Sequence, residues 1–284
     1  MKASDYVANW QNSWVIANWK MNPSTQLTVT ALMTDLQQQI PADALQSCNV
    51  VVAPSFMHLS TTQQAIQHGS LNIGLAAQNL CAQHADKGAF TGEVSGAQLK
   101  DAQVNYVLVG HSERRQYFNE DDACLIQKIR NAFEHDLTVV FCIGETQAQY
   151  EQNQTQDVLA AQLIVVKQLA AEFANAKFEG AQVDNAQLGN LASRLIIAYE
   201  PVWAIGTGKI PTIQEVQNIH AFISTTLTDI DASLATTPIL YGGSVKADNA
   251  AEIAQCPNVN GVLVGGASLD ATSFTQIIQA FAQI

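Results

Sequence analysis

A glutamate stands directly after one of the most apolar short runs in the chain. Glu200 follows the run LIIAY at 195–199, so a buried strand would carry its carboxylate to the edge of a sheet. Partial desolvation there raises the pKa of a carboxyl group, as a general base requires. The next loop combines Trp203 with Gly206 and Gly208, so it could close over a substrate and exclude water. Taken alone, Glu200 could equally be a solvated residue at a strand end.

A histidine ends another apolar run and precedes a helix start. His111 follows the run 106–109 and Gly110, and the sequence SERR at 112–115 comes next, with an acidic residue early in the turn. Backbone N–H groups at a helix start disfavour an imidazolium. A neutral imidazole can polarise a carbonyl oxygen and move a proton between neighbouring oxygens. A lone histidine is more often structural, so the chemical reading depends on the polar residues at other strand ends.

Polar groups suited to an anion follow three further apolar runs. Lys20 could neutralise a bound dianion or an enediolate, and Asn18 could hydrogen-bond the same oxygens. Glycine-rich turns follow the last two runs, GGS at 242–244 and the pair Gly265 and Gly266. Their backbone N–H groups are unobstructed by side chains, and this is the usual position of a phosphate in a parallel barrel. Ordinary tight turns are the alternative reading.

Positioning these residues at one edge requires a repeated strand–helix unit. Short apolar or β-branched runs alternate with helical patterns eight times, which is typical of βα units on a parallel sheet. Strands are predicted at 14–18, 49–53, 71–76, 106–109, 138–142, 195–199, 239–241 and 261–264. Eight such units in about 250 residues favour an α/β protein with a closed (β/α)8 barrel, whose active site lies at the carboxyl ends of the strands.

Two further patterns bear on the fold. Apolar residues recur at roughly helical spacing in two stretches, Leu27, Leu32, Leu36 and Ile40, and Leu159, Leu163, Val166 and Leu169. These stripes are expected to pack on strands. An open, doubly wound sheet is the alternative architecture, but the junction after the first strand reads ANWKMN at 17–22 instead of the glycine pattern of a dinucleotide fold.

Composition excludes several function classes. The 284 residues carry 25 Asp and Glu against 13 Lys and Arg, and a net charge of -12 opposes nucleic-acid binding. No apolar run reaches the ~20 residues of a membrane span, and residues 1–10 do not resemble a secretory signal, so a cytoplasmic location is expected. Five scattered cysteines without a C-x-x-C pair argue against disulfides, and no ligand spacing predicts a metal.

Seven segments together resemble the triosephosphate isomerase family. They are NWKMN at 18–22, GAFTGE at 88–93, VGHSERR at 109–115, CIGE at 142–145, AYEPVWAIGTG at 198–208, YGGS at 241–244 and GVLVGGASL at 261–269. Several of these strings are specific to that family, and the similarity runs from about residue 14 to the C-terminus.

The resemblance implies a single-domain TIM barrel that interconverts dihydroxyacetone phosphate and D-glyceraldehyde 3-phosphate, in glycolysis and gluconeogenesis, without cofactor or metal. Glu200 would take the carbon-bound proton, and neutral His111 would move protons between the enediolate oxygens. Lys20 and Asn18 would stabilise the negative charge, and Glu113 would lie behind Lys20 and restrain its ammonium. The phosphate would be held by backbone N–H groups of Gly206, Ser244, Gly265 and Gly266.

Three segments do not fit a minimal βα rhythm. The connection 78–93 exceeds the usual ~2 to 6 residues, which suggests a functional or interface loop. The family resemblance implies a homodimer in which this loop enters the second subunit, so that Thr91 would lie beside the neighbour's Asn18 and Lys20. Residues 1–13 are expected to be an N-terminal extension before a catalytic barrel at 14–284. The long segment 177–193 is expected to be surface elaboration without chemistry.

Two other functions can be weighed against the isomerase. An aldolase-like barrel would use Lys20 in a Schiff base, but a Schiff-base lysine is desolvated to lower its pKa, whereas Glu113 would favour the charged form. Borohydride trapping with substrate discriminates between the two. A non-catalytic binding or scaffold role is the other class, and the pairing of Glu200 with His111 argues against it.

Overall fold

The computed structural model describes residues 6, 8–174, 191–205 and 211–283. Eight parallel strands pair in chain order, and the first also pairs with the last, so the sheet closes into a barrel. They are β1 Ser13–Asn18, β2 Cys48–Ala53, β3 Gly74–Ala77, β4 Tyr106–Val109, β5 Thr138–Ile143, β6 Leu195–Tyr199, β7 Ile239–Tyr241 and β8 Gly261–Val264. The predicted single-domain (β/α)8 TIM barrel is confirmed, and the open sheet is wrong.

The strand boundaries follow the sequence pattern closely, with one exception. The bounds of β4, β6, β7 and β8 agree with the prediction, and β1, β2 and β5 differ by one residue. The third strand begins at Gly74 instead of residue 71. Leu71 still belongs to the exit from the preceding helix, because Ser70 is left-handed (φ 48°) and the Leu71 N–H donates to the Ile66 carbonyl over 3.0 Å.

Helices connect the strands and cover the outside of the barrel. They are α1 Gln26–Gln39, α2 Ala44–Ser47, α3 Leu59–Gly69, α4 Gly96–Asp101, α5 Ser112–Phe118, α6 Asp122–Glu134, α7 Gln147–Glu151, α8 Thr155–Gln162, α9 Ile164–Ala174, α10 Ile213–Ile230, α11 Ala250–Ala254 and α12 Ala271–Phe281. Single 3-10 turns occur at Phe56–His58, Leu191–Ser193, Val202–Ala204, Ala232–Thr236 and Gly266–Leu269. Within the described ranges, no helix has the length and apolar character needed to cross a bilayer.

The two predicted helical stripes differ in outcome. All four residues of the second stripe, on α8, α9 and the residue between them, are buried, as predicted. The first stripe is wrong at Leu27, which is 82% exposed. The buried face of α1 is formed instead by Val29 and Met33 with Leu32 and Leu36.

The apolar core has two layers, because side chains alternate along each strand. In β1, Val15 and Ala17 face the helices, whereas Trp14 and Ile16 face the barrel interior. The described part of the N-terminal segment packs against the interior layer. Tyr6 makes an edge-to-face contact with Tyr106, with ring centroids 6.1 Å apart, and Trp10 makes one with Trp14 at 5.3 Å. Aromatic side chains therefore cover the amino ends of the strands.

Candidate active site

The inward-facing rows of the barrel determine what stands at the carboxyl ends of the strands. A residue two positions after the last interior side chain of a strand faces the same way. Four such positions carry polar side chains, Asn18, Ser55, Gln78 and Glu200, and four are glycines, Gly110, Gly144, Gly242 and Gly265. The polar groups therefore stand above a packed interior, and the glycines leave room between them.

A cavity of about 420 Å³ opens over this floor. That volume suits a small ligand. The cavity brings together most of the residues that the sequence singled out: Asn18, Lys20, His111, Glu200, Ser244, Gly265 and Gly266. Glu113 stands behind Lys20 without lining the cavity, and Gly206 lies outside the described residues.

Glu200 and His111 form a buried pair at the edge of the cavity. The Glu200 Oε1 atom lies 3.0 Å from His111 Nε2, and both side chains are almost fully buried. The other carboxylate oxygen, Oε2, accepts the Ser112 N–H over 3.1 Å. The His111 Nδ1 atom accepts the Glu113 N–H over 3.2 Å. An Nδ1 atom that accepts this bond carries no proton, so the contact favours the tautomer whose N–H, at Nε2, faces Glu200.

Two opposing effects determine the pKa of His111. Burial acts to lower the pKa of His111, but the nearby carboxylates of Glu200 and Glu113 outweigh it, so the pKa is raised. The backbone N–H expected from the sequence is present, donated by Glu113. The sequence alone does not place the two carboxylates beside His111, since Glu200 follows β6 and Glu113 lies on α5.

The expectation of a raised pKa for Glu200 is wrong in this arrangement. Burial does act in that direction, but His111, the Ser112 N–H and Lys20 favour the carboxylate, so the pKa of Glu200 is lowered. The strand that buries this residue also delivers it to three favourable partners. Glu200 is therefore held ionised, as a base must be before it accepts a proton.

The first loop holds Lys20 in an uncommon backbone conformation. Lys20 has a φ of 53°, in the left-handed region that residues other than glycine rarely occupy. The Asn18 side chain supports this turn by accepting the Lys20 N–H over 2.9 Å. At the far end of the side chain, Lys20 Nζ lies 2.6 Å from Glu113 Oε1. A Schiff base needs an uncharged amine, so this ion pair is a poor setting for the aldolase alternative.

A residue that the sequence reasoning missed completes this turn. The Gln78 side-chain amide donates one hydrogen bond to the Lys20 carbonyl and one to the Ala53 carbonyl, both at 2.8 Å. It thereby joins the turn at Lys20 to the end of β2. The signal that could have found Gln78 is its position, two residues after the inward-facing Ala76.

The loop after β6 begins in a tightly packed setting. A Cβ atom on Gly144 would lie 1.8 Å from the Glu200 carbonyl oxygen, so only glycine lets the ends of β5 and β6 approach this closely. The next residue, Glu145, is buried and accepts the Trp203 indole N–H over 2.6 Å and the Tyr199 hydroxyl over 3.2 Å. Glu145 therefore fixes the position of the Trp203 side chain. The residues around Glu145 in the sequence did not reveal this role.

The glycine turns border the cavity, and the α-helices of their units begin several residues beyond them. After β7 the helix α11 begins only at Ala250, several residues past the turn at Gly242. After β8, Gly266 begins a single 3-10 turn. At both turns the chain first crosses the rim of the cavity before its helix begins.

The connection 78–93 is tied to its own subunit at its base and exposed at its tip. Asn131 of α6 donates to the carbonyls of Cys81 and Gln83 over 2.9 and 2.8 Å. Further along, His135 Nε2 lies 2.8 Å from Asp86 Oδ1. Beyond these anchors, Thr91 is exposed.

Comparisons with known proteins agree with the fold. The family described as Triosephosphate isomerase matches residues 13–281. A "Triosephosphate isomerase" of Psychrobacter sp. (strain PRwf-1) is 47% identical over 271 residues, covering 95% of this chain and 98% of the relative. One of Psychrobacter arcticus is 45% identical over 277 residues, covering 95% and 98%. One of Acinetobacter baumannii (strain AYE) is 42% identical over 272 residues, covering 95% and 96%.

Proposed function

The chain belongs to the triosephosphate isomerase family and interconverts triose phosphates, and we propose that it does so through an enediolate, with Glu200 as base and neutral His111 as electrophile. The observation that carries this proposal is the buried contact of 3.0 Å between Glu200 Oε1 and His111 Nε2 at the edge of the cavity. It places an ionised carboxylate and an imidazole N–H within reach of the same small ligand.

The proposed steps move one proton off carbon and back. The Glu200 carboxylate removes a proton from C1 of dihydroxyacetone phosphate, and the C–H electron pair forms the enediolate double bond. The carbonyl oxygen gains negative charge and accepts a hydrogen bond from His111 Nε2. His111 then moves a proton between the two oxygens, and the carboxylic acid of Glu200 returns its proton to C2, giving D-glyceraldehyde 3-phosphate.

The substrate must take the place of the contact between these two side chains. In the structure, Glu200 Oε1 takes the position of an acceptor for the His111 Nε2 N–H. A carbonyl oxygen that binds the same N–H releases the carboxylate toward the carbon. The hydrogen bond that the Ser112 N–H donates to the Glu200 carboxylate breaks in the same movement.

The anionic ends of the substrate meet the remaining site residues. The Lys20 ammonium and the Asn18 side chain stabilise the enediolate oxygens, with Glu113 restraining Lys20. Backbone N–H groups of Ser244, Gly265 and Gly266, which border the cavity, hold the phosphate together with Gly206. The reaction belongs to glycolysis and gluconeogenesis, and we expect it to take place in the cytoplasm.

We also propose that the active species is a homodimer. Apart from Leu27 on α1, five exposed large apolar side chains of the described residues occur in the units that follow β1 to β4, which are neighbours in the barrel: Met21, Met57, Phe90, Tyr117 and Phe118. An apolar group of this kind at one edge is typical of an interaction surface. A second copy would cover it, and the exposed Thr91 would reach the partner's first loop.

An isomerase assay tests the catalytic proposal. Wild-type protein should convert D-glyceraldehyde 3-phosphate to dihydroxyacetone phosphate, with product measured by an NADH-coupled dehydrogenase. The variant His111→Gln should lose at least about a hundredfold in kcat, because it removes the donor to the developing oxyanion. His68→Gln, at an exposed position, is the matched control. A wild-type protein without isomerase activity would contradict the proposal.

A further inference from the structure

The cavity is lined by a second lysine that neither the sequence motifs nor the proposed mechanism uses. Lys246 borders the same space as Lys20, Ser244 and Gly265. It follows the glycine turn after β7, and its side chain is exposed. Lys20 already has a carboxylate partner at 2.6 Å, in Glu113. No ion pair of the described residues includes the Lys246 ammonium, so its charge is directed to solvent and to the cavity.

The backbone at Lys246 is fixed even though its side chain is exposed. The Lys246 N–H donates to Asn249 Oδ1 over 2.8 Å, and the Asn249 side-chain amide donates to the Ser244 carbonyl over 3.0 Å. The Lys246 carbonyl accepts the Ala250 N–H over 3.0 Å. One asparagine therefore holds both Ser244 and Lys246, and the base of the lysine stays beside the glycine turn while its four-carbon stem can move.

We propose that Lys246 is a further substrate-binding residue, a mobile cation that attracts the phosphate dianion to the turns at Ser244 and Gly265. The proposal rests on the proposed function, because it needs a phosphorylated substrate. Backbone N–H groups give directed hydrogen bonds at fixed positions, whereas a lysine ammonium is a point charge on a flexible stem. The backbone N–H groups would orient the phosphate, and the Lys246 ammonium would attract it.

The charge of the whole molecule makes such a cation necessary. The chain carries a net charge of -12, and Glu200 and Glu113 add negative charge beside the cavity. A substrate dianion is repelled by this field, and the pairing of Lys20 with Glu113 offsets most of the positive charge on the other side of the site. Local charge at the mouth of a cleft changes association rates by about 10- to 1000-fold. An exposed, unpaired cation at the rim is well placed to act on that step.

The test is the dependence of kcat/KM on charge and on salt. Lys246→Glu should lower kcat/KM for D-glyceraldehyde 3-phosphate by roughly tenfold at 10 mM ionic strength, where the Debye length is about 30 Å. The deficit should shrink to about twofold at 0.3 M. Lys246→Gln should be intermediate, and Lys246→Arg should restore most of the wild-type value. Lys167→Glu on α9 changes the net charge equally at an exposed position that does not line the cavity.

A substrate without phosphate separates binding of the dianion from general damage to the site. The ratio of kcat/KM for D-glyceraldehyde 3-phosphate to that for unphosphorylated D-glyceraldehyde should fall in Lys246→Glu and stay at the wild-type value in Lys167→Glu. Equal effects of the two charge reversals, or equal losses on both substrates, would overturn the role of Lys246 alone. A wild-type enzyme that does not isomerise D-glyceraldehyde 3-phosphate would instead overturn the proposed function, and the role of Lys246 with it.

Discussion

Glu200 and His111 contact each other, and each also accepts a hydrogen bond from one of two consecutive backbone N–H groups in the same turn. Ser112 donates its N–H to Glu200 Oε2, and Glu113 donates its N–H to His111 Nδ1. The start of α5 therefore orients both partners of the buried pair. The Glu113 N–H favours an unprotonated Nδ1, so that the ring N–H, at Nε2, faces Glu200.

Shortening the Glu200 side chain by one methylene tests this placement. Glu200→Asp should lower kcat by about a hundredfold while KM changes by only a few fold, because a base displaced by ~1 Å loses its alignment with the carbon-bound proton. The measurement is steady-state kinetics in the coupled assay, and Glu151→Asp, at an exposed position of α7, is the control. Near-wild-type turnover in Glu200→Asp would remove Glu200 from the role of base.

Removing the charge of Lys20 should have a comparable effect through a different step. Lys20→Met should lower kcat/KM by at least about a hundredfold, because the enediolate loses its nearest cation. The remaining activity should depend less on ionic strength than that of the wild type. Lys100→Met removes a cation that pairs with Asp136 on the outer surface and serves as the control. Normal kcat/KM in Lys20→Met at low salt would contradict the electrostatic role.

Acid should destabilise the fold through a histidine far from the chemistry. Burial lowers the pKa of His220 from 6.5 to about 4, opposed by its hydrogen bond to the Asn258 carbonyl. As the pH falls from 6.5 toward 4, His220 binds a proton in the unfolded chain but stays unprotonated in the folded chain. The free energy of unfolding therefore decreases. The shift of pKa corresponds to about 3 kcal/mol.

Urea unfolding between pH 7.5 and 4.5, at one protein concentration, measures this loss. His220→Gln should be less stable than the wild type at pH 7.5, and its stability should fall less steeply toward pH 4.5. His68→Gln, on the exposed face of α3, should follow the wild-type curve. Parallel curves for the wild type and His220→Gln would show that His220 does not contribute to the acid sensitivity.

The proposed dimer can be tested at its exposed apolar edge. Phe90→Asp and Tyr117→Asp place a charge where a second copy would bury an aromatic ring, so each should weaken association by at least tenfold and lower kcat. Leu27→Asp, the control, changes an exposed apolar residue of α1 that does not belong to this group. Sedimentation equilibrium gives the dissociation constants. A monomeric wild type, or charged variants that remain fully dimeric, would refute the interface.

The sequence predicts the carboxyl-end residues well because strand alternation is local. Asn18 and Glu200 each continue an inward-facing row of a strand whose apolar pattern is clear, so their positions follow from a few neighbouring residues. Gln78 continues such a row too, but an amide has no acid–base chemistry to draw attention. Its role depends on the Lys20 carbonyl, which reaches it from another βα unit.

The features that the sequence did not predict depend on contacts between distant segments. The pKa of Glu200 is lowered by His111, Ser112 and Lys20, which follow other strands of the barrel, and burial alone gives the wrong direction. Leu27 fits a helical spacing, yet the face of α1 that packs on the barrel is the one with Val29 and Met33. In both cases a partner from elsewhere in the fold, and not the pattern along the chain, decided the outcome.

The most direct test of the account follows deuterium from solvent into the product. Wild-type enzyme acting on dihydroxyacetone phosphate in D₂O should give D-glyceraldehyde 3-phosphate with deuterium at C2, detected by NMR, because a proton held by Glu200 in the enediolate complex exchanges with solvent. Glu200→Gln should lose both isomerisation and deuterium incorporation. Undiminished isomerisation or deuterium incorporation by Glu200→Gln would contradict proton transfer through Glu200.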